Sequence, residues 1–320
     1  MVNVNLFSQL LALIPREKFD KLVKKHESNK HSKAINSWTH FVSMIFCQVG
    51  GASSVRDISN GLMSTTGNIK HLVVNRVYCK YSLSYINAHR SHELFKDVYF
   101  SLLEHLQSTN TFARKGLLRL KLKIYLLEAS IIPLCREMYD WARYRSTKGA
   151  VKLHALLDYD GLMPVFAQIT DGSTQEITIA RQIPFPKGRV VVVDRGYLDY
   201  SWLFKLDSTG YFFVTRTKTS TDYTAIQNYP VTDNVLSDQC IVFRKEKAKR
   251  DYPGKVRIVR YLDSITNNEC TFLTNNVRWK AQTVANIYKE RWQIEIFFKQ
   301  LKQNIRIKSF VGTTEYVVQI

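Results

Sequence analysis

Apolar residues recur at helical spacing through the first hundred positions of this chain and switch to alternation near residue 118. Leu6–Ile14 reads as a short apolar helix ended by Pro15, and Asn36–Gln48 as a second helix. Gly50-Gly51 and the capping pattern Ser54-Val55-Arg56-Asp57 then open a third, which gives the outline of a helix-turn-helix. Leu94, Val98, Leu102 and Leu106 form one stripe of a longer helix, with Phe95 and Tyr99 beside it. The polar run Gln107–Asn110 predicts a domain boundary. From Leu118 to Leu126 the even positions are apolar and alternate with Arg119, Lys121, Lys123 and Tyr125, the pattern of a half-buried strand. Val151–Leu157 and Pro164–Ile169 predict two more strands, joined by the turn Asp158-Tyr159-Asp160-Gly161. A helix over Glu176–Gln182, a fully buried strand at Val190–Val193, a helix over Tyr200–Asp207 and a strand at Tyr211–Thr215 follow. Residues 217–280 read as mostly β, with strands at Cys240–Phe243, Val256–Leu262 and Thr271–Leu273, and a turn at Pro253-Gly254. One helix, Thr283–Asn304, closes the pattern.

Three strands, helix, strand, helix, strand is the chain order of an α/β ribonuclease-H-like core, a mixed five-stranded sheet with flanking helices. The expected organisation is a helical DNA-binding domain over residues 1–75, a helical linker region over 76–116 and the α/β domain over 117–320, with the β-rich insertion at about 217–280. The formal net charge is +19, with nine of those charges in residues 1–120 and ten in 121–320, so it is distributed and not a basic tail. Such a surface fits a polyanionic partner. No apolar run has the length of a membrane span and the first residues lack a signal-peptide pattern, so a cytoplasmic protein is expected. The five cysteines (Cys47, Cys79, Cys135, Cys240, Cys270) are widely spaced, which predicts buried, reduced thiols and no zinc site.

The last predicted helix carries the most chemistry. Tyr288, Arg291, Glu295 and Lys302 fall within an arc of roughly 60° on one continuous helix, with Ile287, Trp292, Ile294, Ile296, Phe297, Phe298 and Leu301 around the rest. Asp194 follows the Val190–Val193 strand, at a carboxyl end where α/β sites collect, and Glu128 ends the first strand in phase with its apolar positions. Three acids meeting on one core can hold two divalent cations about 4 Å apart for an in-line phosphoryl displacement, and magnesium suits oxygen donors of this kind. Three plainer roles stand beside this one: a helix N-cap for Asp194, a strand-end salt bridge for Glu128, and an exposed Arg291–Glu295 pair.

Tyr288-x2-Arg291-x3-Glu295-x6-Lys302 resembles the YREK signature of insertion-sequence transposases of the insertion-sequence-four family. The runs Trp141–Arg145, Lys148–His154, Asp158–Gly161 and Val193–Tyr197 are also similar to that family. The resemblance implies a DDE transposase acting by cut-and-paste, with Glu128, Asp194 and Glu295 binding two Mg2+ ions, which Mn2+ can replace. It implies that Tyr288, Arg291 and Lys302 hold the DNA phosphate, and that two subunits assemble on paired ends of double-stranded DNA. The insertion then carries Arg244, Lys245, Lys247, Lys249, Arg250, Lys255, Arg257 and Arg260 as a DNA-facing hairpin. The chain departs from the family in having glutamate as its first acid, and in Gln175-Glu176 where relatives often show His-Asp. It also stops 18 residues after Lys302. These departures imply a diverged copy in which DNA binding outlasts cleavage. A non-catalytic remnant on element ends, and a ribonuclease-H-like nuclease that cuts without joining, are the alternative readings.

Overall fold

The computed structural model describes residues 4–30, 32, 35–64, 69–108, 122–134, 139, 141–145, 148–185, 189–218, 220–232, 234–304, 311–314 and 317–318. The chain divides into two compact units. One comprises Met1–Phe112, Ile132–Val151 and Gln300–Ile320, the other Ala113–Ile131 and Lys152–Lys299.

The first unit is built on helices α1 (Val4–Ala12), α2 (Arg16–Lys25), α3 (Ser37–Gly50), α4 (Val55–Met63), α5 (Lys80–His89) and α6 (Glu93–Ser108). Their shared core is aromatic, with Phe7, Phe19, Trp38, Phe41 and Phe46 all buried. The predicted punctuation is used as written. Asn36 accepts a hydrogen bond from the Thr39 N–H to start α3, and Gly51 ends it in the left-handed region (φ 63°) that suits glycine. Ser54 accepts from the Asp57 N–H to start α4. Helix α5 lies within residues 76–116, expected as a helical linker region, whereas α2 was not delimited in the sequence because it turns few apolar residues inward, Phe19 and Val23. A Cβ at Gly61 of α4 would stand 2.6 Å from the Phe46 ring, which is itself packed edge-on against Phe7 at 5.7 Å. Gly61→Ala is therefore expected to destabilise the protein by about 1–2 kcal/mol despite its better helix propensity. A urea midpoint that rises on this substitution would contradict the close α3–α4 crossing.

The strands are β1 (Ile124–Leu134), β2 (Arg143–Arg145), β3 (Lys148–Asp158), β4 (Met163–Asp171), β5 (Val190–Val193), β6 (Phe212–Arg216), β7 (Tyr223–Asn228), β8 (Val235–Phe243), β9 (Val256–Leu262) and β10 (Glu269–Thr274). In the second unit they run in the order β4–β3–β1–β5–β6–β10–β9–β8–β7. The short β2 pairs antiparallel with the first residues of β3 in the first unit. At the centre, β1, β5 and β6 are parallel, and β10, β9, β8 and β7 continue from β6 as antiparallel ladders. Helices α7 (Glu176–Ala180) and α8 (Tyr200–Ser208) lie in the β4–β5 and β5–β6 connections, α9 (Glu246–Asp251) lies between β8 and β9, and α10 (Ala281–Lys289) and α11 (Trp292–Asn304) follow β10.

Three expectations are corrected. The first strand begins at Ile124, and positions 118–121 of the predicted run lie outside the described residues. Ile124, Tyr125, Leu126 and Leu127 are all buried, so this strand is covered on both faces and not half-buried, because it lies inside the sheet between β3 and β5. Thr283–Asn304 is not one helix. The backbone tightens at Glu290 and Arg291, where N–H groups of Arg291, Gln293 and Ile294 bond three residues back, to Tyr288, Glu290 and Arg291. Of the cysteines, Cys47 and Cys240 are buried thiols, but Cys79 is exposed and Cys270 half-buried; Cys135 lies outside the described residues. No helix among the described residues is long and apolar enough to cross a membrane.

Candidate active site

The parallel register at the sheet centre places two of the predicted acids. Leu127 pairs with Val193 as the last registered residues of β1 and β5. Asp194 follows β5, and Glu128 is the next residue of β1, which does not end there as expected but runs on to Leu134. The two acids thus sit side by side where the β1–β5 pairing stops, on strands about 4.8 Å apart. Asp194 occupies the N-cap position of a short 3-10 turn (Arg195–Tyr197) but makes no capping bond with its side chain. Its Oδ1 accepts instead from the Tyr288 hydroxyl at 3.1 Å.

The tight joint between α10 and α11 supplies the rest. Arg291 donates from Nη1 to Glu128 Oε2 at 3.0 Å and from Nη2 to Glu295 Oε1 at 2.6 Å, and its guanidinium lies 5.6 Å from the Tyr288 ring centroid. Glu128, Asp194, Tyr288, Arg291 and Glu295 are thus gathered into one network from three regions of the chain. A Glu128 salt bridge, within β1 and not at its end, and the Arg291–Glu295 pair, with Arg291 largely buried and not exposed, both exist as parts of this network. Lys302 sits half-buried near the end of α11. Trp292 is 59% exposed, contrary to its expected place in an apolar girdle, because the joint turns its position outward.

Electrostatics distinguish the acids. Burial raises the Glu128 carboxyl to about 7, with Asp194 and Glu295 adding to the rise and the Ala129 N–H and Arg291 opposing it. Burial also pushes Asp194 upward, but the Arg195 and Gly196 amides, the Arg291 charge and the Tyr288 hydroxyl together hold it below the ordinary aspartate value. Tyr288 is raised, chiefly by burial. Among the described residues no three acids, histidines or cysteines stand ready-arranged around a metal position. The donor set nonetheless fits a hard divalent cation. Three carboxylates stand around one guanidinium, and all offer oxygen, the donor such a cation prefers.

Where Glu128 serves as a ligand, a metal displaces its proton, so its affinity should follow that carboxyl's ionisation. An acid with a raised pKa is mostly protonated below about 7 and ionised above it, so binding strengthens as pH rises. Mn2+ affinity is expected to be about tenfold weaker at pH 6 than at pH 8. Titration of the protein with Mn2+ at both values checks this, and Glu128→Gln should abolish most of the difference. A pH-independent affinity in the parent would remove Glu128 from the ligand set.

Two buried polar residues, Lys152 and Tyr197, carried no functional expectation. Lys152 is buried on β3 and donates to the Thr174 carbonyl at 2.7 Å and Glu176 Oε1 at 2.8 Å. Tyr197 is 1% exposed, and its hydroxyl has no hydrogen-bond partner. Burial raises Tyr197, and the charges of Glu128, Glu176 and Asp194 raise it further, which places its ring among them. The available signal was polar residues written into a buried strand and a tyrosine three residues after Asp194. The basic residues of the insertion divide. Arg244, Lys245, Lys247, Lys249 and Arg250 are exposed around α9. Arg257 is not DNA-facing but buried, because its fork is taken up by Asp238 at 2.6 and 2.7 Å and by the carbonyls of Asn276 and Trp279. Arg260 is paired with Glu269 at 2.7 Å.

The sequence matches the family described as Transposase DDE domain over residues 119–315, and a domain of unknown function over residues 3–73. A protein of Sinorhizobium fredii named as a transposase is 27% identical over 241 residues, covering 73% of this chain and 65% of that one. A protein of Geobacillus stearothermophilus, named as a transposase for insertion sequence element IS5377, is 22% identical and covers 70% of this chain and 60% of its own length. One of Synechocystis, named as a transposase for insertion sequence element IS4SA, is 24% identical with 71% and 63% covered. The chain thus spans a little under two thirds of these relatives. The cryo-electron-microscopy structure of a piggyBac transposase synaptic complex with hairpin DNA aligns with 99% of this chain and 70% of its own, at a TM-score of 0.42 and 8% identity.

Proposed function

Because the chain belongs to the transposase DDE domain family, we propose that it is a metal-dependent DNA transposase with a ribonuclease-H-like core and the YREK site of the insertion-sequence-four group. The observation that carries this reading is the placement of Glu128 and Asp194 side by side where the pairing of adjacent parallel strands stops, with Arg291 joining Glu295 to Glu128. The strand order β4–β3–β1–β5–β6 and the three parallel central strands support the core.

In this mechanism Glu128, Asp194 and Glu295 would hold Mg2+ or Mn2+, which when bound supplies an activated water and neutralises charge on the phosphate. Tyr288 fixes the orientation of Asp194 through its hydroxyl. Arg291 fixes Glu128 and Glu295 with two arms of its fork, and its Nε, buried without a partner, is a further donor beside the acids. The reaction is an in-line displacement at the phosphodiester of an element end. Water attacks phosphorus and the 3′-oxygen leaves as a hydroxyl, which in a second displacement attacks a target phosphodiester. The exposed cations Arg244, Lys245, Lys247 and Arg250, with Lys302, supply contacts to double-stranded DNA, and two subunits act on paired ends. Incubation of labelled element-end duplex with the protein and Mg2+ tests the assignment. Cleavage with a free 3′-hydroxyl and joined product supports it; cleavage without joining points to a simple nuclease.

One observation favours a second reading, in which this copy binds ends but cuts poorly. Glutamate at position 128 reaches Arg291 directly, so the first acid is engaged by a cation of the protein itself. On that reading Glu128→Asp, one methylene shorter, raises the cleavage rate by at least about tenfold. An unchanged or reduced rate would show that glutamate is the working ligand.

A further inference from the structure

The helical unit contains an open cleft of about 720 Å³ whose lining includes Tyr81, Tyr85, His89, Arg90, Lys30 and Ser32. One wall is α5. Its inner face is pinned by Leu83 in the core and by Asn87, whose side chain meets His40 Nε2 at 3.2 Å. Its outer face presents Tyr81, Tyr85 and His89 four residues apart, so successive rings stand about 6 Å apart along the helix axis. Tyr81 is 74% exposed and Tyr85 65%. Tyr85 is backed by His89, with ring centroids 4.2 Å apart and planes inclined by 23°, and His89 Nδ1 is bonded to the Tyr85 carbonyl at 2.7 Å. Lys80 Nζ lies 4.8 Å from the Tyr81 ring centroid. Arg90 crosses the cleft to the Ile35 carbonyl at 2.9 Å and Ser32 Oγ at 3.3 Å.

Two tyrosines this exposed on a helix already anchored elsewhere do nothing for folding. The chain around them carries no acid at all. Residues 58–92 contain Lys70, Arg76, Lys80 and Arg90 and no aspartate or glutamate. Open aromatic faces with adjacent cations match unstacked nucleobases and their phosphates, since every base has a π face and the contact is indifferent to sequence. A duplex offers no free base faces to such rings, and an apolar peptide would find serine, histidine and lysine along most of the wall. We propose that α5 is a stacking platform for unpaired DNA, with Tyr81 and Tyr85 receiving successive bases and Lys80 facing the backbone. The proposal rests on the reading of the chain as a DNA-acting protein, and adds a site for single-stranded DNA apart from the acid site.

The test is fluorescence anisotropy of a labelled oligothymidylate with the full chain in EDTA, so that metal chemistry does not contribute. The double variant Tyr81→Ala/Tyr85→Ala is expected to bind at least about tenfold more weakly, while Tyr81→Phe/Tyr85→Phe stays within about twofold of the parent. Urea midpoints should be the same for all three, because the rings are exposed. Parent-like binding by the alanine variant overturns the platform, as does equal loss in the phenylalanine variant or no binding by the parent. A loss seen only with a duplex overturns it in favour of groove binding, and one seen only with an oligoribonucleotide in favour of RNA. Failure of end cleavage alongside a responsive platform would count against the transposase reading alone.

Discussion

Asp194→Asn is expected to lower metal-dependent cleavage of element-end DNA to below about a thousandth of the parent rate while leaving duplex binding unchanged. The substitution is nearly isosteric. The side-chain oxygen can still accept the Tyr288 hydroxyl and a backbone amide of the following turn. What disappears is one negative charge, at an acid whose surroundings hold it below the ordinary aspartate value. Glu128 and Glu295 remain, but both are already engaged by Arg291. Single-turnover cleavage with Mg2+ and with Mn2+, alongside a binding isotherm for the same duplex, separates chemistry from affinity. Cleavage within about tenfold of the parent would mean that the carboxylate of Asp194 does not hold the ion.

The largest stability effect is expected away from the acids. Asp238 and Arg257 pair across β8 and β9 with side chains only 3% exposed, and Arg257 also donates to the carbonyls of Asn276 and Trp279. Asp238→Ala leaves a guanidinium buried without its counter-charge and is expected to cost about 3–5 kcal/mol. The control is Asp238→Leu with Arg257→Met, which removes both charges and should recover most of that loss. Urea unfolding of the three proteins decides it. A loss under about 1 kcal/mol for the single variant would mean that water reaches Arg257. Because Asn276 and Trp279 precede the helix bearing Tyr288, a destabilised clamp should also loosen the Tyr288–Asp194 bond.

The acid site was legible in the sequence to an unusual degree because two of its members sit where periodicity is strongest. Four valines in a row locate a strand buried on both faces, and the acid that follows must lie at its end. Helix caps at Asn36 and Ser54 and the glycine at position 51 were readable for the same reason, that each serves a local backbone need. The α10–α11 joint was not readable, since Glu290-Arg291 contains neither proline nor glycine, and one of the bonds that Arg291 makes there reaches Glu128, 163 residues away. Nor could charge counting separate Arg257 from Arg250. One is consumed by a partner nineteen residues away and the other stands in solvent, although both belong to one basic stretch. Lys152 carried no individual signal, and only the packing around it shows that it is buried and paired with Glu176.

The network around Arg291 spans a long interval of chain, 163 residues from Glu128 and 94 between Asp194 and Tyr288. A ribosome adding about 5–20 residues per second needs on the order of ten to thirty seconds to travel from the first acid to its guanidinium. During that time the nascent chain exposes Glu128 and Asp194 without Tyr288, Arg291 or Glu295. Any product terminated early in that interval, by a frameshift or a stop codon, contains the helical unit's first six helices and none of the assembled site. Translation itself therefore sets when this network can first close, and a copy terminated within that interval is born without it.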